Sequence, residues 1–116
     1  MKKFVVLYQS EAAAAGGSTA EAIANTSTEQ MKAGMALWQA WHAKCKDAIL
    51  DLGAPLGGAV RVDAGGPAPE HSAISGYSIL QAASKEDAVK LMEGHPHFHM
   101  PGASIQILEV VPMPNM

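Results

Sequence analysis

Residues 2–8, KKFVVLY, carry an apolar side chain at nearly every position after the two lysines. A strand with one wet face alternates apolar and polar residues, and a strand without that alternation is covered on both faces. The segment therefore predicts a central strand in a sheet that needs cover above and below. What the rest of the chain can supply is limited. Its 116 residues make one domain. Twenty-one of its apolar residues are alanine, and six are aromatic: Phe4, Tyr8, Trp38, Trp41, Tyr77 and Phe98. The core is correspondingly small.

Two helical patterns follow. Ser27 with Gln30, or Thr26 with Glu29, has the spacing of a capping box. Beyond it Met31, Met35, Trp38, His42, Cys45, Ile49 and Leu52 recur at steps of three and four, one face of a helix that Gly53 and Pro55 end. Trp38 falls near the centre of that face and Trp41 on its flank. Ser84 with Asp87 caps a second helix whose apolar side is Ala88, Leu91 and Met92, ended by Gly94 and Pro96. Residues 57–63, 73–81 and 103–111 read as strands, with Gly65-Gly66-Pro67 a turn between the first two. Gly76, inside the second of these strands, marks a bulge or the close approach of another backbone. Residues 9–26 are mostly Ala, Gly, Ser and Thr without periodicity, which predicts a long flexible loop.

The order is β-α-β-β-α-β, an α+β ferredoxin-like arrangement with a four-stranded antiparallel sheet. Two helices cover one sheet face. The other is expected to close against a second copy, in a homodimer with its sheets packed face to face.

Charge and cysteine use narrow the partners. The net charge is −3, Arg61 is the single arginine, and no basic cluster exceeds Lys2-Lys3. A nucleic-acid partner needs a basic face, so none is expected. No segment has the roughly 20 apolar residues of a spanning helix, so no membrane partner is expected. The apolar run at residues 4–8 is shorter than a signal core, and the lone Cys45 cannot form an internal disulfide. Both fit a cytoplasmic protein. No phosphate-loop spacing occurs among the glycines.

MKKFVVLY, DLGAPLGG, SGYSIL, SKEDAVKLMEGHP and SIQILEV, in this order and spacing, resemble the YCII-related domain family, including its DGPF-type relatives. The resemblance runs from Met1 to about Val111. It implies a ferredoxin-like fold and a dimeric α+β barrel. It also implies one of two roles: chemistry on small aromatic compounds through a His–Asp pair, or service as an accessory protein of the sigma-factor-associated kind. In the enzyme-like branch a helix-1 His precedes the loop Gly by eleven positions, and His42 stands there relative to Gly53. The family's Asp precedes a Pro at the end of helix 2. Here that Pro is Pro96 and the residue before it is His95, so the pair becomes His42 and His95. The Asp-Gly-Pro-Phe turn has its counterpart in Asp63-Ala64-Gly65-Gly66-Pro67-Ala68, without the Phe.

Three functional readings follow. In the first, His42 moves a proton and His95 positions or polarises a small, aromatic metabolite. Trp38, Trp41, Tyr8, Met35 and Cys45 line the pocket, and no cofactor is needed. In the second, the same pocket binds a ligand without catalysis and the dimer presents it to a partner; the alternative for His42 by itself is a core histidine satisfied by backbone or water. In the third, His95, His97 and His99 alternate in an extended segment and hold a divalent transition metal. His71 lies in a loop with no assigned role.

Overall fold

The computed structural model describes residues 1–114. Strand β1 (Lys2–Ser10) lies inside a four-stranded antiparallel sheet of order β2-β5-β1-β6, where β2 is Ile49–Asp51, β5 is Ile74–Ala82 and β6 is Ala103–Glu109. Its register sets Val6 opposite Ser78 and Ile107, and Tyr8 opposite Gly76 and Ile105. Phe4, Val6, Tyr8 and Ser10 are buried on one face, while Val5, Leu7 and Gln9 on the other are only half-buried. The buried face is covered by helix α3 (Thr28–Lys44), helix α4 (Lys85–Lys90) and a 3₁₀ turn, Pro96–His99. Val6, Tyr8, Trp41, Cys45, Leu80 and Met92 form one core cluster, and Phe4, Ala82 and Ala88 a second, with Ile107 packed on both. The architecture is mixed α+β. Among the described residues no helix is long and apolar enough to cross a membrane.

The capping signals place the helices. Ser27 and Gln30 form a full capping box, with bonds of 3.1 and 3.3 Å. Ser84 Oγ accepts from Asp87 N at 3.1 Å. Gly76 sits at a register shift where β1 passes from Tyr8 to Gln9, and Pro55 bridges to it from outside the strands.

Three expectations are corrected. The helix expected to run to Gly53 stops at Lys44. Residues 45–48 turn, and Ile49–Asp51 joins the sheet edge beside β5, with Gln81 N donating to Ala48 O at 2.7 Å. Pairing with β5 outweighs a helical period that Ile49 and Leu52 merely extend. The buried stripe of α3 also turns toward Trp41, which is 4% exposed, whereas Met35 is 57% exposed.

The strand expected at 57–63 does not belong to the main sheet. β3 (Val60–Asp63) pairs with β4 (Gly66–Pro69) in a separate hairpin, so Pro67 lies in a strand and not in a turn. A free-standing hairpin has outer edges, where proline costs no ladder bond.

The loop expected at 9–26 is structured. β1 reaches Ser10, and two short helices follow, α1 (Glu11–Ala14) and α2 (Thr19–Ala24). Ser10 Oγ accepts from Ala13 N and Ser18 Oγ from Glu21 N, both at 3.1 Å. Alanine has the highest helix propensity but shows no apolar stripe, so periodicity is blind to such helices.

Candidate functional site

The buried polar groups of the chain meet behind the sheet. Gly94, at φ +68°, ends the segment after α4 and turns the backbone so that His95 enters the core. Pro96 follows as the first residue of the 3₁₀ turn, with His95 its N-cap. From the sheet side comes Tyr8. Its ring packs closely over Gly76, where a Cβ would lie 3.3 Å from Tyr8 Cδ2. Ser78, two residues on, points to the same face.

These side chains form one hydrogen-bonded chain, and its ends decide the direction of every proton. His97 N–H, which can only donate, gives its hydrogen to His95 Nδ1 at 3.0 Å. Nδ1 is therefore unprotonated and the hydrogen of the neutral ring sits on Nε2. Nε2–H donates to Tyr8 OH at 3.2 Å, and Tyr8 OH donates to Ser78 Oγ at 2.8 Å. Ser78 Oγ–H donates to Leu52 O, an obligate acceptor, at 2.7 Å. Leu52 is presented by the turn after β2, where Asp51 accepts from Gly53 N at 2.8 Å. Gly53 adopts φ +81°, and a side chain there would collide with Tyr77 O.

Aromatic rings enclose the chain. The His95 ring centroid lies 4.3 Å from Trp41, 4.6 Å from Trp38 and 5.0 Å from Tyr8. Trp41 Nε1 donates to Leu91 O at 2.8 Å. His97 is also buried, its Nε2–H shared between Gln9 O at 2.9 Å and Ser104 O at 3.0 Å, which ties β1 to β6. Burial, reinforced by the neighbouring His97 ring, lowers the His95 pKa to about 4. Burial pushes the Tyr8 phenol up to about 12, against the opposing pull of the Ser78 hydrogen bond. Burial also raises the Cys45 thiol, against the Lys44 charge. Among the described residues, no buried side-chain N or O atom lacks a partner. Burial thus holds His95, Tyr8 and Cys45 in their neutral forms, and the chain orients protons along its length.

The expected site residues are distributed unevenly. Tyr8, Trp38, Trp41 and Cys45 do gather, but they pack on one another and on His95. Met35 stands out in solvent, because the stripe of α3 is turned away from it. His42 is half-buried on the flank of that stripe, and its side chain makes no hydrogen bond or ring contact with the described residues. The rings touching His95 are those of Tyr8, His97's neighbour in the cluster, and the two tryptophans. The segment holding His95, His97 and His99 is a 3₁₀ turn, not extended. Two of these histidines are buried and bonded to protein groups, and His99 is exposed. Among the described residues, no three His, Cys, Asp or Glu side chains are placed to share a metal ion.

Sequence reasoning missed the part played by Ser78 and by the backbone of Leu52. Its available signal was the alternation in 73–81, which puts Ser78 inward between Gly76 and Leu80. Two openings lie away from the chain. One, of about 210 Å³, has Trp41, Lys44, Glu93 and His99 in its walls. The larger, of about 520 Å³, lies between the α1–α2 segment and the root of the hairpin. No protein-family model matches the chain, and no curated protein matches it.

Proposed function

We propose that this chain is a homodimeric, non-catalytic small-molecule-binding or accessory domain of the cytoplasm, with a ferredoxin-like fold of the YCII-related kind. The strand order β2-β5-β1-β6, with α3 and α4 on one face, supports the fold assignment. The opposite face supports the dimer. Val5 lies between Ile79 and Leu108, and Leu7 beside Tyr77, an apolar patch that the chain leaves half-open. Covering it with a second copy would give β1 the two-sided burial its composition asks for.

The observation that carries the non-catalytic reading is the closed hydrogen-bond chain of His95. A general base needs a free lone pair within reach of substrate. The lone pair of His95 Nδ1 is held by a backbone N–H, and its Nε2 carries a bonded hydrogen. Neither of the two openings described above includes His95, His42 or Tyr8 in its walls.

Two measurements test the reading. Nitrogen-15 spectra of the imidazoles should show His95 as the Nε2–H tautomer throughout pH 6–9, outside its transition near 4. A His95 that titrates near neutrality would restore the acid–base reading. Light scattering at micromolar concentration should give twice the chain mass, and Leu7→Glu should halve it while circular dichroism stays unchanged. A monomeric native protein would remove the dimer.

A further inference from the structure

We propose that the opening between the α1–α2 segment and the hairpin root is the ligand site, and that it takes a small amine with an apolar body. This deepens the small-molecule reading and rests on it. Its volume, about 520 Å³, is within the roughly 300–1000 Å³ typical of small-molecule sites. Leu56, Pro69 and Ile74 supply apolar wall, and Glu70, His71 and Ser72 the polar groups.

The two kinds of wall divide the work. Glu70 is the wall's one carboxylate, and no Lys or Arg stands beside it among the described lining residues. It makes no ion pair or hydrogen bond with the rest of the described chain. A carboxylate without a counter-charge in a concave, partly apolar setting favours a cationic head group and repels an anionic one. Ser72 Oγ accepts from Ile74 N at 3.1 Å, which leaves its hydroxyl hydrogen for a ligand acceptor. The contrast with the core is chemical. Around His95 every polar group is already bonded, whereas Glu70 and His71 make no side-chain hydrogen bond with the described residues.

The site is also built by backbone fit. Gly16, at φ +94°, lies flat against the imidazole of His71, where a Cβ would come within 3.1 Å of Cε1 and Nε2. At Gly17 a Cβ would meet Ala12 O at 2.8 Å. The glycine pair thus lets the segment after α1 close down on His71, so two stretches distant in sequence share one wall. The apolar side continues past Pro69 onto the hairpin. There Val60 opposes Pro69 and Val62 opposes Pro67, one face carrying four apolar side chains, with the valines 63% and 73% exposed. An apolar body seated at Leu56 and Ile74 would run along that strip.

The test is a titration of the nitrogen-15-labelled full-length protein with benzylamine, benzyl alcohol and benzoate. Benzylamine should shift the amide signals of Gly16, Gly58, His71 and Ile74 saturably. Benzoate should bind most weakly, and the exposed Glu70→Gln should lower benzylamine affinity by about fivefold, to the level of benzyl alcohol. Equal affinity for the amine and the carboxylate, or no effect of Glu70→Gln, would overturn the amine assignment. Saturable shifts confined to the groove at Trp41 and Lys44 would overturn this site and leave the small-molecule reading standing. The absence of saturable binding by all three probes would overturn both.

Discussion

The His95 chain predicts an acid limb of stability with one proton behind it. The ring is 1% exposed, and its pKa falls from 6.5 to about 4 on folding. Between those values the unfolded chain binds a proton at this site and the folded chain does not, so acid favours unfolding. The contribution is complete above pH 6.5 and gone below about pH 4. One proton corresponds to at most about 1.4 kcal/mol per pH unit, which over this interval gives about 3 kcal/mol. Against the roughly 5–15 kcal/mol of a typical domain this is a large fraction. The first cause is burial of the ring, to which the neighbouring His97 adds. Protonation would also put a hydrogen on Nδ1, where His97 N–H already points. The assay is urea unfolding at half-unit pH steps, read by Trp38 and Trp41 fluorescence, because both indoles lie against the His95 ring. His95→Gln keeps an amide that can accept from His97 N–H and donate to Tyr8 OH, and it cannot titrate. The variant will be less stable throughout, so the comparison is of slopes. Its stability should lose about one proton of pH dependence between pH 4 and 6.5. An unchanged slope would refute the account of His95 as a buried neutral ring.

Tyr8→Phe should cost about 1–2 kcal/mol at neutral pH, since it leaves Ser78 Oγ and His95 Nε2–H short of a partner. The native protein should lose stability as pH rises from 10 to about 12, where the unfolded phenol ionises first, and the Tyr8→Phe variant should lack that limb in chemical unfolding. Gly53→Ala should lower the thermal midpoint far more than any surface alanine, because the side chain collides with Tyr77 O and φ is +81°. Ser27→Ala should cost about 1 kcal/mol in urea unfolding through loss of the capping box, with no change in oligomeric state.

What could be read from the sequence depended on whether one side-chain period stood alone. β1, β5 and β6 have strand composition and turn signals around them, and each lies where it was expected. Ser27 and Ser84 were legible as caps because their partners stand three residues on. Ile49–Asp51 was not legible. Ile49 and Leu52 satisfy a helical period as well as a strand does, and only pairing with β5 separates the two. α1 and α2 escaped because alanine helices carry no stripe. For the site, His95 was marked by the family resemblance as the residue before Pro96, and Tyr8, Trp38 and Trp41 were named as pocket lining, yet the bonds among them were not legible. Tyr8 and Ser78 are 70 residues apart, and only strand register brings them together. His42 was marked by the family resemblance and by the helix face, and the turn of α3 toward Trp41 leaves it on the flank.

The polar chain explains how so small a core selects one register. Apolar side chains of about the right size discriminate poorly between alternative packings, because several arrangements fill the space about equally well. A one-residue slip of β5 against β1 would move Ser78 to the open face and put Tyr77 or Ile79 against Tyr8. Tyr8 OH and His95 Nε2–H would then be buried without partners, each at a cost of about 1–3 kcal/mol. A shift of the turn after β2 would likewise withdraw Leu52 O from Ser78. Four segments, the β2 turn, β5, β1 and the 3₁₀ turn, are therefore locked by one sequence of bonds that tolerates no partial version. The same locking occupies both ring nitrogens of His95, which is the ground on which we propose a binding role with the ligand seated at the hairpin root.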